Sequence, residues 1–387
     1  MNNGLFKNTY RAIFNTPWML SEHKSIDKDI SPQLDTARGW SAILVLIAHA
    51  QQVFIAPLYQ SLHPVFLLLA QASVMVFFVL SGFLICKSVT RNNRDNGQFA
   101  TSIYATDRAN RVLPPFLFAL AILFLLNIAA PFVFPSGTNE FLNAGKFMAS
   151  TGFIVEPENM IGTLLFVNGF LTENITAGYP FWSLSFEVWY YFALALMVSI
   201  KGIRGFLITL IFMISMGLLN KSFLFSSIVW FAGVAIAILH NKNAINAKLF
   251  TSVSLAAGAT AISFAIFFFN SHIGIASPDQ ADWKMMSGWK VSSGIFFASI
   301  LGLLLIKKIS IPTLYPSSSG FSYTLYVIHF PVLLFIYGCI QTHILASIEA
   351  SVIAAITSTL SCLILSSLIA KSVESMRPFK NNIKQIA

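Results

Sequence analysis

The residues with the most chemical potential in this chain are ionisable groups set inside long apolar runs. They are His49, Glu187 and His329, with Arg38, Arg108 and Arg111 at the edges of such runs. His49 lies in LDTARGWSAILVLIAHA, residues 34–50. At about 1.5 Å per residue of helix it sits roughly 16 Å beyond Arg38. That places Arg38 at a membrane surface and His49 near the middle of a hydrocarbon core about 30 Å thick. An ionisable side chain at that depth is costly and points to a functional site, such as a general base. The alternative is a neutral histidine hydrogen-bonded to a neighbouring helix.

Glu187 belongs to FWSLSFEVWYYF, residues 181–192, which enters the membrane from the opposite side. It is expected roughly 9 Å below that boundary, close to the depth of His49. A Glu–His pair at one level would ease the desolvation of both groups and orient the imidazole, or would only tie two helices together. Trp182, Ser185 and Tyr190 accompany it; Trp182 fits an aromatic belt, and Tyr190 sits deeper. GFSYTLYVIHFPVLLF, residues 320–335, carries Tyr323, Tyr326 and His329 on one helical face. That polar stripe either lines a substrate path or forms an interhelical hydrogen-bond seam. Arg108 and Arg111, three apart, either snorkel to headgroups or clamp a phosphorylated ligand. Ser81-Gly82 lets backbones approach closely, for packing or for passage of a ligand. The histidines and carboxylates are too scattered to form a metal site, and no Walker-type glycine loop is present.

The elements that must position these groups are membrane helices. Of 387 residues, 56% are hydrophobic and only 10% charged, with mean hydropathy +0.72; soluble domains carry about 25% charged residues. The fold expected is an all-α polytopic membrane bundle of about ten helices. The spans run about 39–56, 65–86, 113–134, 181–200, 203–219, 223–239, 250–269, 289–306, 321–340 and 347–370. Pro114 and Pro115 are expected to open the third. Residues 1–33 read as a cytoplasmic basic tail, 34–379 as the membrane domain and 380–387 as a cytoplasmic C-terminal tail. The segment 135–180 is rich in glutamate, and its piece MIGTLLFVNGF is too short to span, so it is expected to be re-entrant or interfacial.

With both termini in the cytoplasm, the inner segments collect Arg38, Arg108, Arg111, Lys201, Arg204, Lys242, Lys248, Lys307, Lys308 and Arg377. The outer ones keep Lys146, Lys221, Lys284 and Lys290. That asymmetry follows the positive-inside rule and accounts for the formal charge of +9 without nucleic acid. Cys86, Cys339 and Cys362 read as free thiols. The Asn-x-Ser/Thr triplets at Asn174 and Asn220 carry little weight.

In order and spacing, six stretches resemble the membrane-bound acyltransferase family 3, which O-acylates bacterial surface polysaccharides, peptidoglycan and some small molecules. Arg38 and His49 match its Arg-x10-His motif; FFVLSGFLI (77–85), DRANRVLP (107–114), WSLSFEVWYY and SYTLYVIHFP resemble its later signatures, and VESMRPF a closing one. The resemblance implies acyl-CoA, most simply acetyl-CoA, as co-substrate with no tightly bound cofactor. It implies a hydroxyl of a cell-surface glycan or its lipid-linked precursor as acceptor, and the inner membrane as location. It places His49 at the catalytic centre with Glu187. It makes Arg38, Arg108 and Arg111 contacts of the CoA phosphates, and marks Ser81, Trp182, Ser185, Tyr190, Tyr323, Tyr326 and His329 as site residues. The appended hydrolase-like domain of many members is not expected here, so transfer finishes in the membrane domain or on a separate extracytoplasmic transferase. The rival reading is a multi-span transporter or flippase of a glycan intermediate, which predicts repeats and broken helices.

Overall fold

In the computed structural model, residues 22–142, 151–200, 202–271 and 283–379 are described. Residues 1–21 and 380–387 of the two expected tails, with Lys146 and Lys201, lie outside them. Helices dominate; the β structure among the described residues is limited to two isolated bridges, Glu140–Gly152 and Asn168–Thr172. Eight helices are long and apolar enough to cross a membrane: α2 (His63–Asn96), α3 (Thr101–Val133), α5 (Phe181–Ser199), α7 (Lys221–Asn241), α8 (Ala247–Ser271), α9 (Trp283–Leu305), α10 (Ser322–Ile344) and α11 (Ile348–Val373). The 17-residue α6 (Ile203–Leu219) and α1 (Ser31–Ala50) complete the ten expected spans. A π-helical turn, Gln51–Ile55, extends α1. The short α4 (Pro157–Leu164) lies in the long connection. The protein is therefore an all-α, multi-pass membrane bundle.

Two helices outrun their hydrophobic stretches. α2 continues to Asn96 and stops at Gly97, whose φ of 68° ends it in the left-handed conformation that glycine adopts without steric cost. α3 begins at Thr101, so Pro114 and Pro115 lie inside it rather than opening it. Each proline removes only its own bond to the preceding turn, so the helix tolerates the pair and its polar first turns run on before the apolar stretch. The result is a rigid arm that presents Arg108 and Arg111 on one face.

α1, α2 and α10 are mostly buried, whereas α8 and α11 turn most of their surface outward. α2 and α7 cross at two glycines. A Cβ on Gly82 would fall 2.0 Å from the Trp230 carbonyl oxygen, and one on Gly233 would fall 2.1 Å from that of Val79. Small residues at such crossings let backbones meet and replace lipid contacts with dense packing. Gly82 is thus used in packing, and the crossing brings Ser81 within 3.2 Å of the Trp230 indole nitrogen. The piece 160–170 forms the last turns of α4 and a loop that docks on α5: Trp189 donates to the Phe166 carbonyl at 2.8 Å.

One end of the bundle carries Arg38, Arg108 and Arg111 and is called the basic end below. There the segment 22–30 lies across the helix ends. The ammonium of Lys87, a buried residue, donates to the Lys24 carbonyl at 2.8 Å and to Asn241 Oδ1 at 2.5 Å, and lies 2.6 Å from His240 Nδ1. Lys307 pairs with Asp27 at 3.0 Å and Asp29 at 3.4 Å.

Candidate active site

At the basic end a cavity of about 150 Å³ is lined by Arg38, Arg108, Arg111, Ser81, Glu187 and Tyr323, among others. Arg38 stands one turn after its partner Asp35, at 2.8 Å. Arg111 is held by Glu374: its NH1 is 2.7 Å from Oε2, and its guanidinium carbon lies 5.7 Å from the centre of the Tyr323 ring. The other oxygen of Glu374 accepts from the Thr324 backbone N–H at 3.1 Å and the Thr324 hydroxyl at 2.9 Å. One carboxylate thus satisfies an orphan donor in the first turn of α10 and fixes an arginine of α3. Arg108 lies over Tyr104 at 6.0 Å. The Nε atoms of Arg38 and Arg108 are buried with no hydrogen-bond partner among the described residues. Three guanidinium groups at one cavity suit a ligand that is rich in anionic oxygens.

Glu187 is in this cavity and not beside His49. It accepts from the Tyr191 hydroxyl at 2.5 Å and from the Ser81 hydroxyl. The expected Glu187–His49 pair is not formed. The shared depth expected from the sequence does not bring the two groups together, because α5 presents Glu187 to the cavity of Arg38, Arg108 and Arg111.

His49 Nδ1 instead lies 2.8 Å from Nε2 of His329, with the rings stacked at 5.1 Å and 12° between planes. Phe330 meets His49 edge-on at 5.0 Å. Nδ1 of His329 lies 3.0 Å from the Leu325 carbonyl oxygen, one turn earlier on α10. This chain fixes the tautomers. The Leu325 carbonyl only accepts, so His329 carries its proton on Nδ1 and offers a lone pair at Nε2. His49 therefore donates from Nδ1, and its Nε2 lone pair is left for the cavity beyond. That cavity, about 30 Å³, has room for a water-sized group and is lined by His49, Gln52, His63, Gln71, Trp182 and Tyr326, among others. Gln51 and Gln52 belong to the π turn that directly follows α1; such turns often mark functional sites.

The two cavities share Val74 and Tyr326 as a common wall. The Tyr326 hydroxyl is 2.5 Å from Ser183 Oγ and 3.3 Å from the Pro180 carbonyl oxygen. Ser185 and Tyr190 face neither cavity: Ser185 donates to Asn168, and the fully buried Tyr190 donates to the Phe223 carbonyl at 2.6 Å. Both therefore brace α5. Reading the sequence missed Glu374, Tyr191, Ser183 and Gln71. Glu374 had a signal in its place in VESMRPF, and Ser183 and Tyr191 in theirs in WSLSFEVWYY; Gln71 had none. Among the described residues no three His, Cys, Asp or Glu side chains gather to hold a metal, and the three cysteines are free.

The chain belongs to acyltransferase family 3: the model of the family's acyltransferase domain matches residues 31–370. It is thus a membrane acyltransferase by family. No curated protein and no solved structure matches it.

Proposed function

We propose that the protein is an O-acyltransferase of the cell inner membrane, with both termini in the cytoplasm. It moves an acyl group, most simply acetyl, from cytoplasmic acyl-CoA to a hydroxyl of a cell-surface glycan or its lipid-linked precursor. The observation that carries this reading is the His49–His329 relay, which leaves one basic nitrogen facing a cavity next to an arginine-lined one. Arg38, Arg108 and Arg111 hold the CoA phosphates at the basic end. Ser81, Glu187 and Tyr323 line the path of the pantetheine arm, and Glu187 keeps Ser81 and Tyr191 in place. The thioester comes to the wall formed by Val74 and Tyr326.

His49 Nε2 takes the proton of the acceptor hydroxyl as its oxygen attacks the thioester carbon. The C–S bond then breaks, and the imidazolium returns the proton to the CoA sulfur. His329 orients His49 and shares the positive charge that develops, the part a carboxylate plays in other relays. The Tyr326 hydroxyl, on the wall between the cavities, turns from the Pro180 carbonyl to donate to the oxyanion, and Trp182 lines the acceptor side. A covalent acyl-His49 intermediate uses the same groups in two steps.

The test is CoA release from acetyl-CoA by the purified protein in nanodiscs, wild type beside His49→Ala, with membrane glycans added. Release confined to the wild type, with acetylated product and no net movement of the acceptor, supports the enzyme. Movement of glycan without CoA release would favour a transporter.

A further inference from the structure

One stripe of α2 runs along the whole path from the basic end inward. Ser81 and Phe78 line the basic-end cavity, Val74 stands in the common wall, and Gln71 lines the His49 cavity. Spaced by three, four and three residues, these four share one face of the helix. Gln71 is thus one turn, about 4.5 Å, beyond the wall at which the thioester is placed. It also lines a wider vestibule of about 560 Å³ that meets the His49 cavity at Gln71, Tyr179 and Trp182.

The Oε1 atom of Gln71 is buried with no hydrogen-bond partner among the described residues. A buried carbonyl left unpaired costs more than a bond to it gains, so an orphan of this kind beside a cavity points to a ligand that supplies the bond. A carbonyl only accepts, so the missing partner is a donor.

The His49 cavity, about 30 Å³, holds one water-sized group. In the reaction proposed above, that place belongs to the hydroxyl whose proton passes to His49. Gln52, a buried residue of the π turn, brings a carboxamide to the same cavity, with N–H donors suited to the oxygen of that hydroxyl. Gln71, at the mouth, is left for a second donor that comes from the vestibule side on the same molecule. Two hydroxyls on adjacent carbons meet both demands: one enters the cavity, and its neighbour stays at the mouth.

We propose that Gln71 is a specificity residue of the acceptor side: its carbonyl accepts from the hydroxyl next to the one that is acylated, so the acceptor is a vicinal diol. The proposal deepens the acyltransferase reading, on which it rests, by fixing what the acceptor carries beside the reacting oxygen. An alcohol with only hydrogen at the neighbouring carbon leaves the carbonyl unpaired, and a site built to bond a hydroxyl rejects the analogue that lacks it. The product has lost one hydroxyl of the pair to an ester, which donates nothing. A second transfer to the same diol is therefore disfavoured, and the reaction stops at the monoester.

The experiment uses the full chain in phosphatidylcholine nanodiscs and three small alcohols: tetrahydropyran-3,4-diol, tetrahydropyran-3-ol and tetrahydropyran-4-ol. Binding is read by saturation-transfer NMR, and acetyl ester formed from acetyl-CoA by mass spectrometry. The diol is expected to bind more tightly than either mono-alcohol and to react with a kcat/KM at least about tenfold higher, giving the monoester. Gln71→Met, similar in size but without the carbonyl, should bring the diol down to the mono-alcohols and leave those within about twofold. Acetyl-CoA binding reports that the variant is folded. Equal handling of the three alcohols by the wild type overturns the proposal, since a water would then serve Gln71. So does a preference that survives Gln71→Met, or binding of none of the three. A binding preference that Gln71→Met removes, with no ester formed from any alcohol, would count against the acyltransferase reading and leave the Gln71 contact standing.

Discussion

The two cavities that meet at Val74 and Tyr326 are built on opposite physics. The basic-end cavity is a place of charge: three guanidiniums and Glu187 line it, Asp35 and Glu374 brace it from behind, and two guanidinium nitrogens have no hydrogen-bond partner among the described residues. Among the described residues the His49 cavity is lined by no carboxylate, lysine or arginine, and its order comes from a hydrogen-bond relay that ends on a backbone carbonyl. Charge is affordable near a membrane surface, where long side chains reach water, and expensive at mid-depth. The deep site is therefore organised by tautomers and the shallow one by ion pairs.

The largest effect should separate the two regions outright. His49→Ala is expected to lower the rate of transfer by about 10² to 10⁴, with acetyl-CoA binding by calorimetry unchanged; a weaker binding constant would erase the division. Next comes His329. His329→Phe removes the acceptor for His49 Nδ1 and should cost about 10² in kcat, whereas His329→Gln, whose carbonyl can accept, should retain roughly a tenth of the activity. Equal losses in both would mean that His329 only fills space.

Arg111→Gln should act in the opposite sense, raising the acetyl-CoA KM about tenfold with kcat held. A loss in kcat with KM unchanged would place Arg111 in the chemistry instead. Glu374→Gln should shift the same KM only about threefold, because the amide still accepts from Thr324 while losing the ion pair.

The smallest effect lies on the strap over the basic end. The ion pair and hydrogen bond to Lys307 hold the Asp27 carboxyl below its usual range. A depressed carboxyl stabilises the fold above the ordinary carboxylate range and loses that contribution as pH falls through the folded value. Lys307→Gln should thus melt slightly earlier than wild type at pH 7 and together with it in acid, with activity unaffected. A difference that persists in acid would assign Lys307 another role.

The helices were legible because a hydrocarbon core demands long apolar runs, and those runs survive any detail of packing. Their polar ends were not legible: α2 from Lys87 to Asn96 and α3 from Thr101 to Val112 have no long apolar run and are rich in residues of low helix propensity. His49 stood out by its depth, yet its partner did not. His329 is 280 residues away, and choosing it over Glu187 needed the crossing of α1 and α10 in space. Arg111 was visible as a charge at a membrane edge, but Glu374 acts on it from 263 residues downstream. Gln71 had no signal, since an orphaned carbonyl is a property of a cavity and not of a residue type.

The thin wall between the cavities also has an electrical consequence. Two pockets divided by a layer of side chains would, once filled with water, concentrate a membrane voltage across that layer, where moving one elementary charge costs about 2.3 kcal/mol per 100 mV. In the reaction proposed, the phosphates of CoA stay on the basic side. What passes outward is an acylium equivalent, and what passes inward is the proton of the acceptor hydroxyl. The two charges cancel, so turnover should proceed at the same rate in energised and depolarised vesicles. The enzyme would modify the far side of an insulating sheet without drawing current through it.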